Sequence, residues 1–287
     1  MNIPEEWKSI ETGSLKGILM VVGSTDVGKS TFCRYLYGRL SEQNPPAAFL
    51  DGDPGQSTLG PPATMTVILS SENDGRFPPG GEMRRMSIGS TTPVRHMLPV
   101  VTAADRLSGF AIKNGAKTVV YDTTGLIDPG QGGLNLKLSK IDLLRPAVVF
   151  GIQRGKELEQ LLVPLRKSNR LEVVDMPHSE DARVRDMETR QKNRQKKFRD
   201  FFRESEILII NWSSYAVFPT LRFKRHRLLF LENDNGYCVG LAIVLKNYRD
   251  SKRIEVLSTY KDLKEVDSIR LGDLIVNPDT YEHELIR

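Results

Sequence analysis

The fold is decided by the stretch Gly17-Ile-Leu-Met-Val-Val-Gly23-Ser-Thr-Asp-Val-Gly28-Lys29-Ser30. Its second half fits the phosphate-binding loop pattern G-x-x-x-x-G-K-[ST] at every fixed position. The apolar run before Gly23 predicts a buried strand, and the apolar residues after Ser30 recur at helical spacing. Strand, glycine loop and helix therefore follow one another in the order that this loop requires.

The loop chemistry predicts a phosphate site. Glycines let the backbone turn its N–H groups inward, and the N-terminus of the following helix adds partial positive charge. Lys29 can reach the terminal phosphates, and the Ser30 hydroxyl can ligate Mg²⁺. The alternative is a chance glycine turn before a helix. The residues expected to contact the nucleotide are Gly23, Ser24, Thr25, Asp26, Val27, Gly28, Lys29 and Ser30.

The rest of the chain predicts an α/β fold with a second, β-rich part. Short apolar runs alternate with helical segments as far as an apolar run at Ile207–Ile210. Such alternation predicts a mainly parallel sheet with helices on both faces. From about residue 221 onward the segments look like strands, two of them joined by the hairpin residues Asn233–Gly236. We therefore expect a phosphate-loop domain over residues 1–220 and a small β-rich domain over residues 221–287.

Composition predicts a globular protein of the cell interior. The 287 residues are 39% hydrophobic and 27% charged. No apolar run approaches the roughly 20 residues of a membrane helix, and the first ten residues lack the features of a signal peptide. Two cysteines suit a reducing compartment better than a disulfide framework. We expect a cytoplasmic protein with no membrane partner.

Two carboxylates follow the second predicted strand, in Asp51-Gly-Asp53-Pro-Gly-Gln56. The glycines and the proline supply a turn that can aim both carboxylates at one place. One of them can then hold Mg²⁺, while the other accepts a proton from an attacking hydroxyl. An acidic turn without chemistry is the alternative.

A third carboxylate begins the segment Asp122-Thr-Thr-Gly125, directly after another apolar strand. This is where a Walker B carboxylate lies, so we expect Asp122 to support Mg²⁺ and Thr124 to lie with the substrate. The segment also matches the D-x-x-G of GTPases. The chain has no N-K-x-D guanine signature, which argues against a GTPase.

The positive charge is concentrated in one segment. Residues 183–203 carry nine Lys or Arg and three acids, whereas the whole chain has a net charge of +5. We expect a long basic helix over about residues 181–203. Helical phase puts Arg190 and Arg194 on the face that carries Met187, Phe198 and Phe201. Inward arginines need anions, and a transferring phosphoryl group fits their planar donors.

The opposite face of this helix carries other cations, which are either an ordinary solvated face or a track for a nucleic-acid backbone. They are Lys192, Lys196, Arg199 and Arg203.

A further loop, Gly89-Ser-Thr-Thr-Pro-Val-Arg95-His96, precedes a predicted helix. Its hydroxyl groups and basic side chains can hold an acceptor strand. Thr91, Thr92 and Arg95 are the candidates, together with His96. For His96, an ordinary surface position at a helix start is an equal alternative.

Taken in order, these motifs resemble the polynucleotide 5′-hydroxyl kinases of RNA processing. GSTDVGKSTFCRYL resembles the phosphate loop of that family, DGDPGQ its D-x-G-Q segment and DTTGLI its Walker B region. GSTTPVRH resembles its substrate-side loop and RQKNR its arginine lid. Of the individual motifs, only the phosphate loop is strong. The ordered set is more specific than any single motif.

The resemblance implies roles for individual residues. It implies that Asp53 is the general base, with Gln56 beside it at the substrate, and that Thr31 adds a contact to the nucleotide. Arg190 and Arg194 would be lid residues that act on the phosphoryl group with Lys29. The implied cofactors are ATP and Mg²⁺, the latter held through Ser30, Asp51 and Asp122.

The resulting expectation is an ATP-dependent kinase that phosphorylates the 5′-hydroxyl end of RNA, and of DNA as a second substrate. Its partners would be single-stranded or duplex nucleic-acid ends. Two other functions remain open: a phosphate-loop kinase of a small metabolite, and a non-catalytic ATP-binding scaffold in an RNA-processing complex.

Overall fold

The computed structural model describes residues 3–72, 75–179, 182 and 184–286. The chain divides into two compact units. The first unit consists of residues 1–53, 65–84 and 93–185, and the second of residues 54–64, 85–92 and 186–287. Among the described residues, no helix has the length and apolar character that a membrane crossing demands.

A seven-stranded sheet forms the centre of the first unit, with the order β4-β3-β2-β5-β1-β6-β7. The five strands from β2 to β7 in this order are parallel, whereas β3 runs antiparallel to β2. The strands are β1 (Gly17–Gly23), β2 (Ala47–Gly52), β3 (Thr64–Ser70), β4 (Glu82–Ser87), β5 (Thr118–Thr123), β6 (Val148–Gln153) and β7 (Glu172–Pro177).

Five helices accompany these strands along the chain: α1 (Glu5–Lys8), α2 (Lys29–Gln43), α3 (Met97–Lys113), α4 (Gly133–Leu144) and α5 (Glu159–Arg166). The core is dense where α2 meets the sheet, since Phe32 packs edge-on against Phe150 at 5.2 Å between ring centroids. The predicted α/β class with a mainly parallel sheet is confirmed. Strand β3 was not predicted, although its run of β-branched residues is a strand signal.

The second unit is built on another seven-stranded sheet, with the order β14-β13-β10-β11-β12-β8 and with β9 paired to β13. This confirms a β-rich C-terminal part. Its strands are β8 (Glu206–Asn211), β9 (Ala216–Phe218), β10 (Arg227–Glu232), β11 (Cys238–Tyr248), β12 (Arg253–Ser258), β13 (Ser268–Val276) and β14 (His283–Leu285).

Strand β8 differs from its prediction as a buried strand of the alternating α/β region. It pairs antiparallel with β12 at the edge of the second sheet. Ile207 and Ile209 are 63% and 62% exposed, whereas Ile210 is buried. An apolar run of four residues therefore covers only one face of a sheet here, which length and composition alone could not distinguish from a fully buried strand.

The helix of the second unit is α6 (Met187–Phe201). Asp186 caps its first turn by accepting a hydrogen bond from the backbone N–H of Thr189 at 2.7 Å, which explains a start at Met187. The helix docks through Phe198 and Phe202 in an apolar cluster with Leu228 and Phe230. The expected start near residue 181 lies outside the described residues, because 180, 181 and 183 are not among them.

Candidate functional site

The phosphate loop connects β1 to α2 and has the backbone that its glycines predict. Gly28 is left-handed, with φ of 96°, at the residue before α2. A side chain at Gly23 would bring its Cβ within 2.6 Å of the Ile152 carbonyl oxygen, so only glycine fits there. Asp26 also has a positive φ, of 59°, a conformation that aspartate tolerates better than most residues.

Lys29 and Ser30 occupy the first turn of α2. The Lys29 side chain is buried, and its Nζ donates to the carbonyl oxygen of Ser24 at 2.6 Å. Burial lowers the pKa of the Lys29 ammonium, while the charges of Asp122 and Asp53 oppose that shift. The Ser30 hydroxyl hydrogen bonds to Asp122. The loop lysine is therefore electrostatically coupled to both carboxylate segments.

Two of the predicted carboxylates are immediate neighbours. Asp51 on β2 lies opposite Asp122 on β5 in the parallel register, and the two side chains belong to residues that are 1% and 2% exposed. Burial raises the pKa of Asp122 to about 6, against the lowering effects of Lys29 and of the Ser30 hydrogen bond. Asp53 follows directly after the end of β2 and is half-buried.

These groups suit Mg²⁺. Oδ1 of Asp122 is buried and has no hydrogen-bond partner among the described residues. Mg²⁺ in phosphate-transfer sites is bound by one or two carboxylates, with water and phosphate oxygens completing the shell. The described residues contain no cluster of three or more acidic, His or Cys side chains placed to hold a metal ion.

Asp26 links the phosphate loop to the segment that leads into α6. Its carboxylate accepts hydrogen bonds from Arg185, from the backbone N at 2.9 Å and from Nε and Nη2 at 3.1 and 3.0 Å. Arg154 donates from Nη2 to the carbonyl oxygens of Asp26 and Ala182, at 3.0 and 2.8 Å. Arg185 is followed at once by Asp186, the N-cap of α6.

Two lysines on α4, missed by the sequence-based prediction, are completely buried at the same edge of the first sheet. Lys137 donates to the hydroxyl of Thr123 at 2.8 Å, to that of Thr124 at 3.3 Å and to the Thr124 carbonyl oxygen. Thr123 in turn donates to the Val21 carbonyl oxygen of β1 at 2.6 Å. Lys137 thus fixes the segment between β5 and α4.

The second of these lysines has a different environment. Lys140 Nζ lies 5.1 Å from the centroid of the Tyr121 ring and has no hydrogen-bond partner among the described residues. Burial lowers the pKa of Lys140 to about 7, and the charge of Asp53 opposes the shift. A signal existed in the sequence, since Lys137 and Lys140 share the helical phase of the buried Ile141 and Leu144.

The remaining predicted substrate residues are distributed over both units. Arg95, His96 and Thr124 belong to the first unit. Thr124 is buried and held by Lys137, and His96 directly precedes α3 with Nδ1 at 3.2 Å from the Val94 carbonyl oxygen. Gln56 and the pair Thr91 and Thr92 belong to the second unit, as does α6 with its arginines. Their roles as substrate residues stay predictions.

Helix α6 separates its cations as its phase predicts. Arg190 and Arg194 are half-buried, and Arg194 Nε donates to Nε2 of His283 at 2.9 Å. Burial and the charge of Arg194 both lower the pKa of His283, in keeping with a neutral imidazole acceptor. Met187, expected on the buried face, is 83% exposed because the first residue of the helix extends beyond the docked apolar cluster.

A mainly parallel sheet, a phosphate loop and carboxylates suited to Mg²⁺ on two neighbouring strands define a phosphate-loop nucleotide-binding protein. The sequence profile described as "mRNA cleavage and polyadenylation factor CLP1 P-loop" matches residues 23–204, more than half of the chain. The chain belongs to this family, and the resemblance drawn from its motifs is confirmed.

Similar proteins carry consistent names. A polyribonucleotide 5′-hydroxyl-kinase of Pyrococcus abyssi is 26% identical over 93% of this chain and 90% of that protein. One of Thermococcus kodakarensis is 28% identical over 96% of this chain and 80% of that protein. One of Methanocaldococcus jannaschii is 26% identical over 74% of this chain, which spans 57% of that protein.

Among solved structures, the chain resembles a Clp1p–Pcf11p complex. The TM-score is 0.69 and the identity 11%, with 93% of this chain and 76% of the other covered. At this identity the likeness concerns the fold alone, and it agrees with the α/β architecture described above.

Proposed function

We propose that this protein is a polynucleotide 5′-hydroxyl kinase, which transfers the γ-phosphate of ATP to the 5′-hydroxyl end of RNA. The names of its relatives support this activity. One structural observation carries the proposal: Lys29 of the phosphate loop and Asp53 after β2 interact electrostatically within one unit. A group that holds phosphate and a group that can accept a hydroxyl proton therefore lie in the same unit and feel each other's charge, which supports the proposal.

Asp53 is the proposed base. It is half-buried, whereas Asp51 and Asp122 are buried, so it is the carboxylate of the three that an incoming hydroxyl can reach. The 5′-oxygen attacks the γ-phosphorus and forms a bond to it. The bond between the γ-phosphorus and the β–γ bridging oxygen breaks, and ADP leaves. The hydroxyl proton passes to Asp53, which orients the nucleophile before the transfer.

Ser30, Asp51 and Asp122 would hold Mg²⁺, which when bound neutralises charge on the nucleotide phosphates. Lys29 contributes a fixed cation to the same phosphates. Its burial strengthens that contribution, because electrostatic attraction is larger where water is excluded. Backbone N–H groups of the loop and the start of α2 complete the binding of the triphosphate.

The lid role of Arg190 and Arg194 belongs to this proposal. Two guanidinium groups would neutralise the three equatorial oxygens of the transferring group. This lid role is supported by the half-burial of both arginine side chains on one face of α6, away from the exposed cations. The acceptor strand would be held by Gln56, Thr91, Thr92, Arg95, His96 and Thr124, again as a proposal.

The test is transfer from γ-labelled ATP to 5′-hydroxyl RNA and DNA of the same sequence, with Mg²⁺ or with EDTA. We expect labelled RNA only with Mg²⁺. Asp53→Asn should lower the rate by roughly 10²–10⁴-fold, the range typical of a general base. Lys29→Ala should abolish transfer, and Asp105→Asn, at an exposed acid on α3, should change nothing.

Two outcomes would replace the proposal. Consumption of ATP with small hydroxyl metabolites, but not with oligonucleotides, would identify a metabolite kinase. Tight ATP binding without transfer to any acceptor would identify a scaffold. A wild-type rate in Asp53→Asn would remove Asp53 as the base and leave the kinase activity standing.

A further inference from the structure

The outer face of α6 carries three exposed cations, Lys192, Lys196 and Arg199, and the exposed Arg203 follows in the turn after the helix. The intervals of four and three residues keep the three helical cations on one side of the helix. At a rise of 1.5 Å per residue these three span about 10 Å. We call all four residues the basic row. It is separate from Arg190 and Arg194, which are half-buried.

The charge of the basic row is poorly compensated. Lys192 forms an ion pair with Glu188 at 2.5 Å, but both side chains are more than two-thirds exposed, and such pairs stabilise little. Within the described part of the chain, Lys196, Arg199 and Arg203 form no ion pair, although the exposed Asp200 lies among them. Three cations with one carboxylate among them leave a net positive surface, which attracts a polyanion.

An aromatic ring lies beside this row. Tyr281 is half-buried and packs against Phe202 with ring centroids 6.0 Å apart and planes 38° apart. Burial raises the pKa of the Tyr281 hydroxyl, and the charge of Arg199 opposes that shift. Gln195 fixes the adjoining backbone by donating to the Thr280 carbonyl oxygen at 2.6 Å.

Cations and an aromatic face side by side favour single strands. Lys and Arg contact the phosphates, while an unpaired base stacks on the ring. A base in a duplex is already stacked between its neighbours and is not free to cover a tyrosine. An acidic protein surface would use the cations but has no base to place on Tyr281.

We propose that the basic row and Tyr281 bind the single-stranded part of the RNA acceptor, away from its reacting 5′ end. This inference rests on the proposed kinase function for its biological meaning. The binding itself does not need catalysis, so it can be measured separately. The row then gives affinity for longer acceptors without taking part in phosphoryl transfer.

The test compares two quadruple variants. Lys192→Gln, Lys196→Gln, Arg199→Gln and Arg203→Gln remove the basic row with a residue that favours helix. Lys246→Gln, Arg249→Gln, Arg253→Gln and Lys264→Gln remove the same charge from exposed positions elsewhere in the second unit. Fluorescence anisotropy with a labelled 20-nucleotide RNA, without ATP, measures binding across a salt series.

The basic-row variant should bind this RNA about 10–100-fold more weakly, and its log–log salt slope should fall in magnitude by roughly 1.5–3, which is two to four lost phosphate contacts. The control variant should change less than 2-fold. In the transfer assay, the KM for the 20-nucleotide acceptor should rise and the kcat for a dinucleotide acceptor should stay unchanged. Tyr281→Leu should weaken single-strand binding several-fold, and Tyr281→Phe should not.

Unchanged RNA affinity in the basic-row variant would overturn the proposal, and so would equal losses in both quadruple variants. Equal loss for single-stranded and blunt duplex RNA would overturn the stacking role of Tyr281. If the basic-row variant lost affinity for polyglutamate but kept its affinity for RNA, the basic row would be assigned to the binding of an acidic protein. If the wild-type protein bound RNA through the basic row but transferred no label to any acceptor, the proposed kinase activity would be refuted and the proposed RNA binding by the basic row would stand.

Discussion

The carboxyl edge of the first sheet and the outer face of α6 are both rich in charged side chains, but these side chains are buried at the sheet edge and exposed on the helix. At the sheet edge Asp51 and Asp122 are almost completely buried, and Lys137 is bound by three oxygen atoms. On α6 the Lys192 side chain is 70% exposed, and its one ion pair lies in solvent. The first region fixes its charges at great cost in desolvation, whereas the second leaves them hydrated.

This difference assigns different work to the two regions. Charges held in a buried, fixed arrangement act strongly at short range and are little affected by salt. Exposed charges act at longer range, weaken with ionic strength and lose side-chain entropy when they bind. Chemistry on a phosphate therefore suits the sheet edge, and attraction of a long polyanion suits the helix face.

The sharpest way to break this contrast is to exchange arginine for lysine on α6. Arg190→Lys combined with Arg194→Lys keeps the charge but loses the planar donors. If these half-buried arginines act on the phosphoryl group, kcat should fall about 10²–10³-fold with little change in the salt dependence of RNA binding. Steady-state kinetics at two salt concentrations measures both.

The matched change is Lys192→Arg with Lys196→Arg on the exposed face, for which we expect kcat within 2-fold of wild type. If the variant with Arg190→Lys and Arg194→Lys kept the wild-type kcat, the two faces of the helix would not differ in their role in phosphoryl transfer.

A second prediction compares the two buried lysines. Lys140→Met should raise the free energy of unfolding at pH 7 by about 3 kcal/mol, because it removes a buried ammonium without a hydrogen-bond partner among the described residues. Lys137→Met should lower it by about 1–2 kcal/mol, because the Thr124 carbonyl oxygen loses its donor. Urea unfolding monitored by circular dichroism measures both.

The pH dependence checks the cause. The pKa of Lys140 is about 7 in the folded protein and near 10.4 when unfolded, so between these values the unfolded chain binds more protons. Stability of the wild type should therefore gain from this group as pH rises from 7 to 10, and Lys140→Met should lose that gain. If the difference in unfolding free energy between the wild type and Lys140→Met were the same at pH 7 and pH 9.5, this role of Lys140 would be contradicted.

The smallest expected effect concerns Asp26 and Arg185, which pair a buried carboxylate with a half-exposed guanidinium. Asp26→Asn keeps a residue that tolerates the positive φ, and Arg185→Met keeps the length of the side chain. In a double-mutant cycle on unfolding free energy, we expect a coupling of about 1 kcal/mol, reduced by solvent screening at Arg185. Strict additivity of the two substitutions would show that the contact contributes nothing.

Local patterns predicted much of the first unit. The phosphate loop, the strand before it, the helix after it and the carboxylates at strand ends follow from short motifs whose geometry is set within about ten residues. The buried lysines were not predicted, because charge is normally assigned to surfaces. The oxygens that bind Lys137 belong to Thr123 and Thr124, outside its own helix, and Lys140 lies against the Tyr121 ring. The site roles of Asp53, Arg190 and Arg194 remain predictions.

Pairing between distant segments was the harder part. Strand β8 has the composition of a buried strand, and only its pairing with β12 decides which side faces solvent. The partner of Arg194 lies 89 residues away at His283, a separation at which sequence spacing carries no information. The helix phase of α6 was predictable because it depends on periodicity alone, whereas the exposure of Met187 depends on where the docked surface ends.

The contact between Asp26 and Arg185 joins positions that are 159 residues apart in the chain. Asp26 belongs to the phosphate loop, and Arg185 leads directly into α6. Loss of Arg185 alone would remove a cation from a buried carboxylate, whereas loss of Asp26 alone would leave only a half-exposed guanidinium. In an alignment of many related sequences, these two columns should therefore covary. Relatives that lack the arginine should also lack the aspartate.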